Sequence, residues 1–206
     1  MNEASYKQAL KIPHAEDGMT IGLLGGSFNP PHEGHVHISE LVLQRLQLHK
    51  VWWLASPGNP LKNNNKLPDL NERLTLCQKL VSNPKIEITG FEAKFHTRYT
   101  ADTLALLKRI RPRLNFIWIM GADNLAQFHH WQDWRKIAAM MPMVVIDRPG
   151  STLSFRSARA AQALARYRKD PDTITNLAFE KPPAWTFIHG PRSNLSSTAI
   201  RAKSSN

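Results

Sequence analysis

Two histidines three residues apart, His32 and His35, stand shortly after a pair of adjacent glycines, Gly25 and Gly26. Between them runs Ser27-Phe28-Asn29-Pro30-Pro31. An apolar run, Ile21 to Leu24, comes before the glycines, and a helical pattern from Glu33 to Leu48 comes after. The stretch therefore reads as strand, glycine turn, helix start. Glycines let a backbone approach a ligand with no Cβ in the way. A helix start presents free N–H groups and the positive end of a dipole, which suits phosphate. Histidines three apart share a helix face. Two imidazoles there suit a polyphosphate whose negative charge grows during reaction.

Other phosphate and metal motifs do not fit. The spacing of Gly22, Gly25 and Gly26 is wrong for the G-x-G-x-x-G dinucleotide fingerprint. No lysine completes a Walker loop, and His32-Glu33-Gly34-His35 is one residue short of the zinc-protease His-Glu-x-x-His. No cysteine or third histidine lies at metal-ligand spacing, so no protein metal site is expected.

The positioning elements alternate between strands and helices. Strands are read at Ile21–Leu24, Val51–Ala55, Ile86–Ile88, Asn115–Met120, Met143–Asp147 and Trp185–Ile188. Helices are read from about Glu33 to Leu48, from Asn71, from Arg98 to before Pro112, over 155–168 and over 194–201. Alternation of this kind predicts an α/β fold, a Rossmann-like doubly wound parallel sheet. Residues 1–18 have no clear period and read as an N-terminal extension, with 19–206 as a single domain. The Asn-, Lys- and Pro-rich stretch 58–70 reads as a mobile loop, either a solvated connection or a lid carrying Lys62.

Secondary candidates sit at element ends. Gly121-Ala122-Asp123 follows the most apolar strand at its carboxyl end, where open α/β sheets bind ligands. Trp131 and Trp134 are three apart and read as one helix face: Trp134 as core, Trp131 as core or stacking platform. Thr100 reads as a helix cap, which by itself explains it. Ser197 and Thr198 with Arg201 place hydroxyls and a guanidinium on one side of a helix start, either as an ordinary cap or as a phosphate cradle.

The bulk numbers agree with an anion-handling enzyme. In 206 residues, 27 Lys and Arg against 16 Asp and Glu give a formal net charge of +11. The basic residues are spread out rather than clustered, which disfavours nucleic acid as the partner. A single cysteine, Cys77, excludes an internal disulfide and points to a reducing cytosol. No signal peptide or membrane-spanning stretch is read, so a cytoplasmic protein is expected.

Gly-Gly-Ser-Phe-Asn-Pro-x-His-x-Gly-His resembles the signature of the nucleotidyltransferase superfamily, whose members have the α-phosphate of a nucleoside triphosphate attacked and release pyrophosphate. Four further motifs follow in order: Pro-Gly-Asn-Pro-Leu-Lys, Tyr-Thr-x-Asp-Thr-Leu, Met-Gly-Ala-Asp-Asn-Leu with Trp-x-x-Trp, and Ser-Ser-Thr-x-Ile-Arg. Together, over residues 21 to 201, the set resembles bacterial nicotinate-nucleotide adenylyltransferase. The resemblance implies a nucleotidylyl transferase fold and transfer of AMP from ATP to nicotinate mononucleotide, giving deamido-NAD and pyrophosphate, with Mg²⁺ bridging the triphosphate. It implies ATP contacts from Gly25, Gly26, Ser27, Phe28, Gly121, Ala122, Asp123, Ser197 and Thr198, and catalytic roles for His32, His35 and Arg201. Asn29, Lys62, Thr100, Trp131 and Arg148 are then substrate-binding, with Trp131 stacking on the pyridine ring. Ser27 and Asn29 stand where many members carry Thr and Asp. Partners would be these small molecules, with no nucleic acid or membrane, and the oligomeric state is left open. Pantetheine-phosphate adenylyltransferase and the cytidylyltransferases are rivals within the class. A basic RNA-binding module, suggested by charge alone, is the rival outside it.

Overall fold

The computed structural model describes residues 1–58, 67–147, 157–172 and 174–190. Six strands form one parallel sheet: β1 Thr20–Gly26, β2 Lys50–Ala55, β3 Ile86–Thr89, β4 Asn115–Gly121, β5 Met143–Ile146 and β6 Trp185–Ile188. Their spatial order is β3-β2-β1-β4-β5-β6. The chain winds outward from β1 to β3, then crosses back to lay β4 on the other side of β1. The strand order thus reverses between β1 and β4, and the crevice at their carboxyl ends is the place such sheets reserve for ligands.

The central strands are nearly apolar because helices cover both faces of the sheet, while the edge strand β3 carries Glu87 and Thr89. Side chains alternate across the pleat. Ile21, Leu23, Trp52, Leu54, Phe116, Trp118 and Met120 enter one core. Leu24, Val51, Trp53, Ile117, Ile119, Val144 and Ile146 enter the other. The first core is closed by α4 Phe91–Phe95, α5 Thr100–Ile110, α6 Ala122–Gln127, α7 Trp134–Met140 and α8 Arg159–Ala163. The second is closed by α1 Glu3–Ala9, α2 Glu33–Arg45 and α3 Leu70–Leu80.

Four expectations change. Residues 1–18 contain α1, begun by Asn2, whose side chain accepts from the Ser5 N–H. The Met1 ammonium donates to Thr75 Oγ1, Gly90 N–H to Ala9 O, and Thr89 Oγ1 to Lys11 O. A helix of about two turns carries too little period to be seen in sequence, and tertiary hydrogen bonds hold it. Thr100 is not the cap of α5: Tyr99 occupies that position without a side-chain bond. Trp131 and Trp134 do not share a helix face, because a 3-10 turn at Phe128–His130 ends in an extended Trp131 before α7 begins. Of the helical spacing read over 155–168, the described residues from 157 hold the short α8 followed by a second 3-10 turn, Ala165–Tyr167.

One half-buried carboxyl lies at the edge of the first core, beside Phe91. Glu92 of α4 accepts from Thr103 Oγ1 of α5 at 2.8 Å. Burial raises its carboxyl to about 7, and the Thr103 bond only partly offsets that. The fold therefore favours the protonated acid. Its contribution is complete below the ordinary carboxylate range and is lost as pH rises through about 7. Glu92→Gln, which mimics the neutral acid, is expected to match wild type in urea unfolding below the ordinary carboxylate range, at pH ~4. It should exceed wild type above pH 7, by at most about 3 kcal/mol. A stability difference that does not vary with pH would contradict this assignment.

Candidate active site

Helix α2 starts directly beyond the turn that leaves β1, and its two histidines hold its end. His32 is the N-cap, with extended backbone, and its Nδ1 accepts from the Gly34 N–H at 3.1 Å. His35, in the first turn, accepts the His32 N–H on its own Nδ1 at 3.2 Å. The pair is a reciprocal capping box made of imidazoles. A nitrogen that accepts carries no proton, so this geometry assigns both rings as neutral tautomers protonated on Nε2. The rings lie 3.9 Å apart, centre to centre, tilted by 42°. Sequence reasoning expected free N–H groups at this helix start. Instead the Gly34 N–H goes to His32 Nδ1 and the His35 N–H to the His32 carbonyl. The end of α2 thus carries two imidazoles along with its dipole, with His32 Nε2 buried beneath the surface.

Aromatic contacts fix the rings. Phe28 is buried and lies parallel to Trp53 of β2, 4.8 Å between centres and 6° between planes. His35 packs against both, at 5.0 Å and 5.7 Å. Behind it, Trp53 Nε1 donates to Ser39 Oγ, and Ser39 Oγ donates to the His35 carbonyl. The Phe28 backbone is left-handed, φ +46°. That conformation is costly for a bulky residue, and stacking in a buried slot is what keeps it there.

The glycines act differently from one another. A Cβ on Gly25 would lie 2.5 Å from the Trp118 ring, so the absent methyl makes room for an indole of β4. A Cβ on Gly26 would meet nothing closer than the Phe28 ring at 3.4 Å. Trp118 in turn meets Trp131 edge-on at 6.3 Å, and Phe128 meets Trp131 at 5.5 Å. Two edge contacts orient the half-buried Trp131 ring against the first core.

The cytidylyltransferase-like family model matches residues 23–203. A Brucella suis protein named nicotinate-nucleotide adenylyltransferase is 56% identical over 183 residues, which is 89% of this chain and 94% of that one. A Mesorhizobium japonicum protein of the same name is 56% identical over 190 residues, 92% of this chain and 97% of that one. This chain belongs to the nicotinate-nucleotide adenylyltransferase family. It is a nucleotidyltransferase. The Plasmodium falciparum nicotinic acid mononucleotide adenylyltransferase in complex with NaAD shares the fold, with TM-score 0.68 and 18% identity over 89% of this chain and 83% of that one.

The tertiary structure brings the predicted adenylyltransferase residues of the first half together. Gly25, Gly26, Ser27, Phe28, Asn29, His32 and His35 surround the end of β1. Gly121 ends the neighbouring β4, and Ala122 and Asp123 open α6. Thr100 stands at the start of α5, half-buried. Lys62, Arg148, Ser197, Thr198 and Arg201 lie outside the described residues. No group of three or more His, Cys, Asp or Glu that could hold a metal occurs among the described residues.

Sequence reasoning missed three supports: Trp118, the Trp53–Ser39 relay and Arg73. Only Arg73 had a signal. Leu70, Arg73, Leu74 and Cys77 are the buried residues of α3, so a guanidinium occupies a core position of the i, i+3, i+4, i+7 stripe.

Two substitutions separate packing and capping from chemistry. Gly25→Ala should cost about 1–3 kcal/mol by overpacking against Trp118. Gly26→Ala should cost under about 1 kcal/mol, read as urea midpoints. His35→Asn keeps an acceptor near the Nδ1 position but removes the Nε2 donor. Turnover should fall about 100-fold or more, while stability should change by less than about 1 kcal/mol. Near-normal turnover would remove His35 from the chemistry.

Proposed function

We infer that this chain moves the adenylyl group of ATP onto nicotinate mononucleotide, giving deamido-NAD and pyrophosphate. The observation that carries the reading is the pair of capped histidines at the β1–β4 switch point. It sets two imidazoles, each accepting a backbone N–H on Nδ1, at a positive helix end, in the crevice where a parallel sheet takes its ligands. The names of the bacterial relatives support the substrate pair.

In this reading no side chain acts as nucleophile. A phosphate oxygen of the mononucleotide forms the new bond to the α-phosphorus, and the bond from that phosphorus to the bridging oxygen breaks. Negative charge grows on the departing pyrophosphate. His32 and His35 donate Nε2–H groups to its oxygens and need no change of protonation to do so. Gly25 to Phe28 line the nucleotide through their backbone, and Gly121, Ala122 and Asp123 meet adenosine. Ser197, Thr198 and Arg201 complete the triphosphate contacts. Asn29, Lys62, Thr100, Arg148 and Trp131 serve the mononucleotide. The half-buried Trp131 ring, fixed by its edge contacts, is suited to stack on a pyridine. The described donors at this crevice are N–H groups, which suit phosphate rather than a bare cation. Mg²⁺ therefore enters as part of the substrate, bound to triphosphate oxygens. A cytoplasmic setting belongs to the same reading. Among the described residues no helix is long and apolar enough to cross a membrane.

Pyrophosphate release with Mg-ATP tests the proposal, offering nicotinate mononucleotide, its amide and phosphopantetheine in separate reactions. Release is expected with the acid form, at kcat/KM at least 10-fold above the amide. Release with phosphopantetheine alone would keep the adenylyl transfer and overturn the acceptor.

A further inference from the structure

Arg73 is 1% exposed, in the first turn of α3. Its Nε donates to the Pro68 carbonyl at 3.0 Å. Its Nη1 donates to the carbonyls of Ser27 at 2.7 Å and Ser56 at 2.8 Å. One guanidinium thus ties together the turn after β1, the residue following β2 and the chain entering α3. These acceptors are main-chain oxygens, so the group holds backbone rather than a neighbouring side chain. A bare buried carbonyl costs free energy, and a planar fork of donors is the side chain able to hold several at fixed angles.

The consequence lies across one peptide bond. Ser27–Phe28 is not among the cis peptides of the chain. In a trans peptide the carbonyl and the following N–H point in opposite directions. With the Ser27 carbonyl drawn to Arg73, the Phe28 N–H faces the other side of the turn. The left-handed φ of Phe28, +46°, curls the main chain there, the kind of turn in which successive N–H groups form an anion-binding hollow.

We propose that Arg73 is a positioning residue for ATP: by holding the Ser27 carbonyl inward, it aims the Phe28 N–H at the triphosphate. This rests on the adenylyltransferase reading above and adds to it a residue that touches no substrate. Its bonds reach the β1 turn, the residue after β2 and the start of α3, and not the Trp131 end of the crevice, so the larger effect falls on ATP.

The test compares Arg73→Lys and Arg73→Gln with wild type, well below each variant's melting temperature. The expected result is a 10-fold or greater rise in KM for ATP with a fall in kcat, while KM for nicotinate mononucleotide changes less than 3-fold. A lowered melting temperature with unchanged kinetic constants would make Arg73 a structural residue and overturn the proposal, as would equal rises in both KM values. Should neither variant fold, ¹⁵N-labelled wild-type protein decides: saturating Mg-ATP must shift the Phe28 amide, and an unmoved Phe28 amide overturns the proposal. That titration reads ATP binding alone. It stays informative if the transfer assay shows nicotinate mononucleotide to be the wrong acceptor.

Discussion

The hydrogen bonds from backbone amides to the Nδ1 atoms of His32 and His35 decide the character of this site. They fix where α2 begins and, by occupying one nitrogen of each ring, determine which tautomer each ring adopts. Protonation at Nδ1 would break the cap, so the cap and the neutral state support one another. A neutral N–H donor can stabilise growing phosphate charge with no titration step of its own. In the proposed transfer, structure and chemistry fall to opposite nitrogens of the same rings, so a residue that keeps only one of the two functions separates them.

Around that pair the molecule uses aromatic rings as spacers. Trp53 and Phe28 stack beneath His35 on one side of the sheet, while Trp118 fills the room left by Gly25 on the other and braces Trp131. Rings are stiff and large, so a few contacts fix orientations over the width of the crevice. Alternation of side chains along β1, β2 and β4 makes this possible. Each strand sends neighbours to opposite cores, and so the β1 turn is supported from both faces at once.

The groups in this interior that could carry charge are satisfied in different ways. Arg73 stays among backbone carbonyls, which welcome a cation's donors. Glu92 is held toward its neutral acid by burial and bonded to Thr103. Cys77, beside Arg73 on α3, is wholly buried, and burial pushes its thiol up to about 12, so it packs as a small apolar residue rather than reacting. An unassisted buried charge would be far more costly than any of these arrangements.

The sequence by itself determined the alternation of elements, the parallel sheet and the motif around His32 and His35. Apolar runs of strand length and helical spacing are local, and each can be read without knowing its neighbours. Family membership was also legible, because the motifs occur in order along nearly the whole chain. Tertiary structure alone decided the rest. The helix in residues 1–18 is too short to show a period and depends on partners at Thr75, Thr89 and Gly90. Trp131 left its apparent helix because a 3-10 turn intervenes, packed on Phe128. Gly25 is glycine on account of Trp118, more than ninety residues away in the chain. Arg73 joins the chain entering its own helix to the turns after β1 and β2, 46 and 17 residues away. Spacing reveals which residues share a face of one element. Which atoms meet across elements depends on how the layers pack, and no local pattern encodes that.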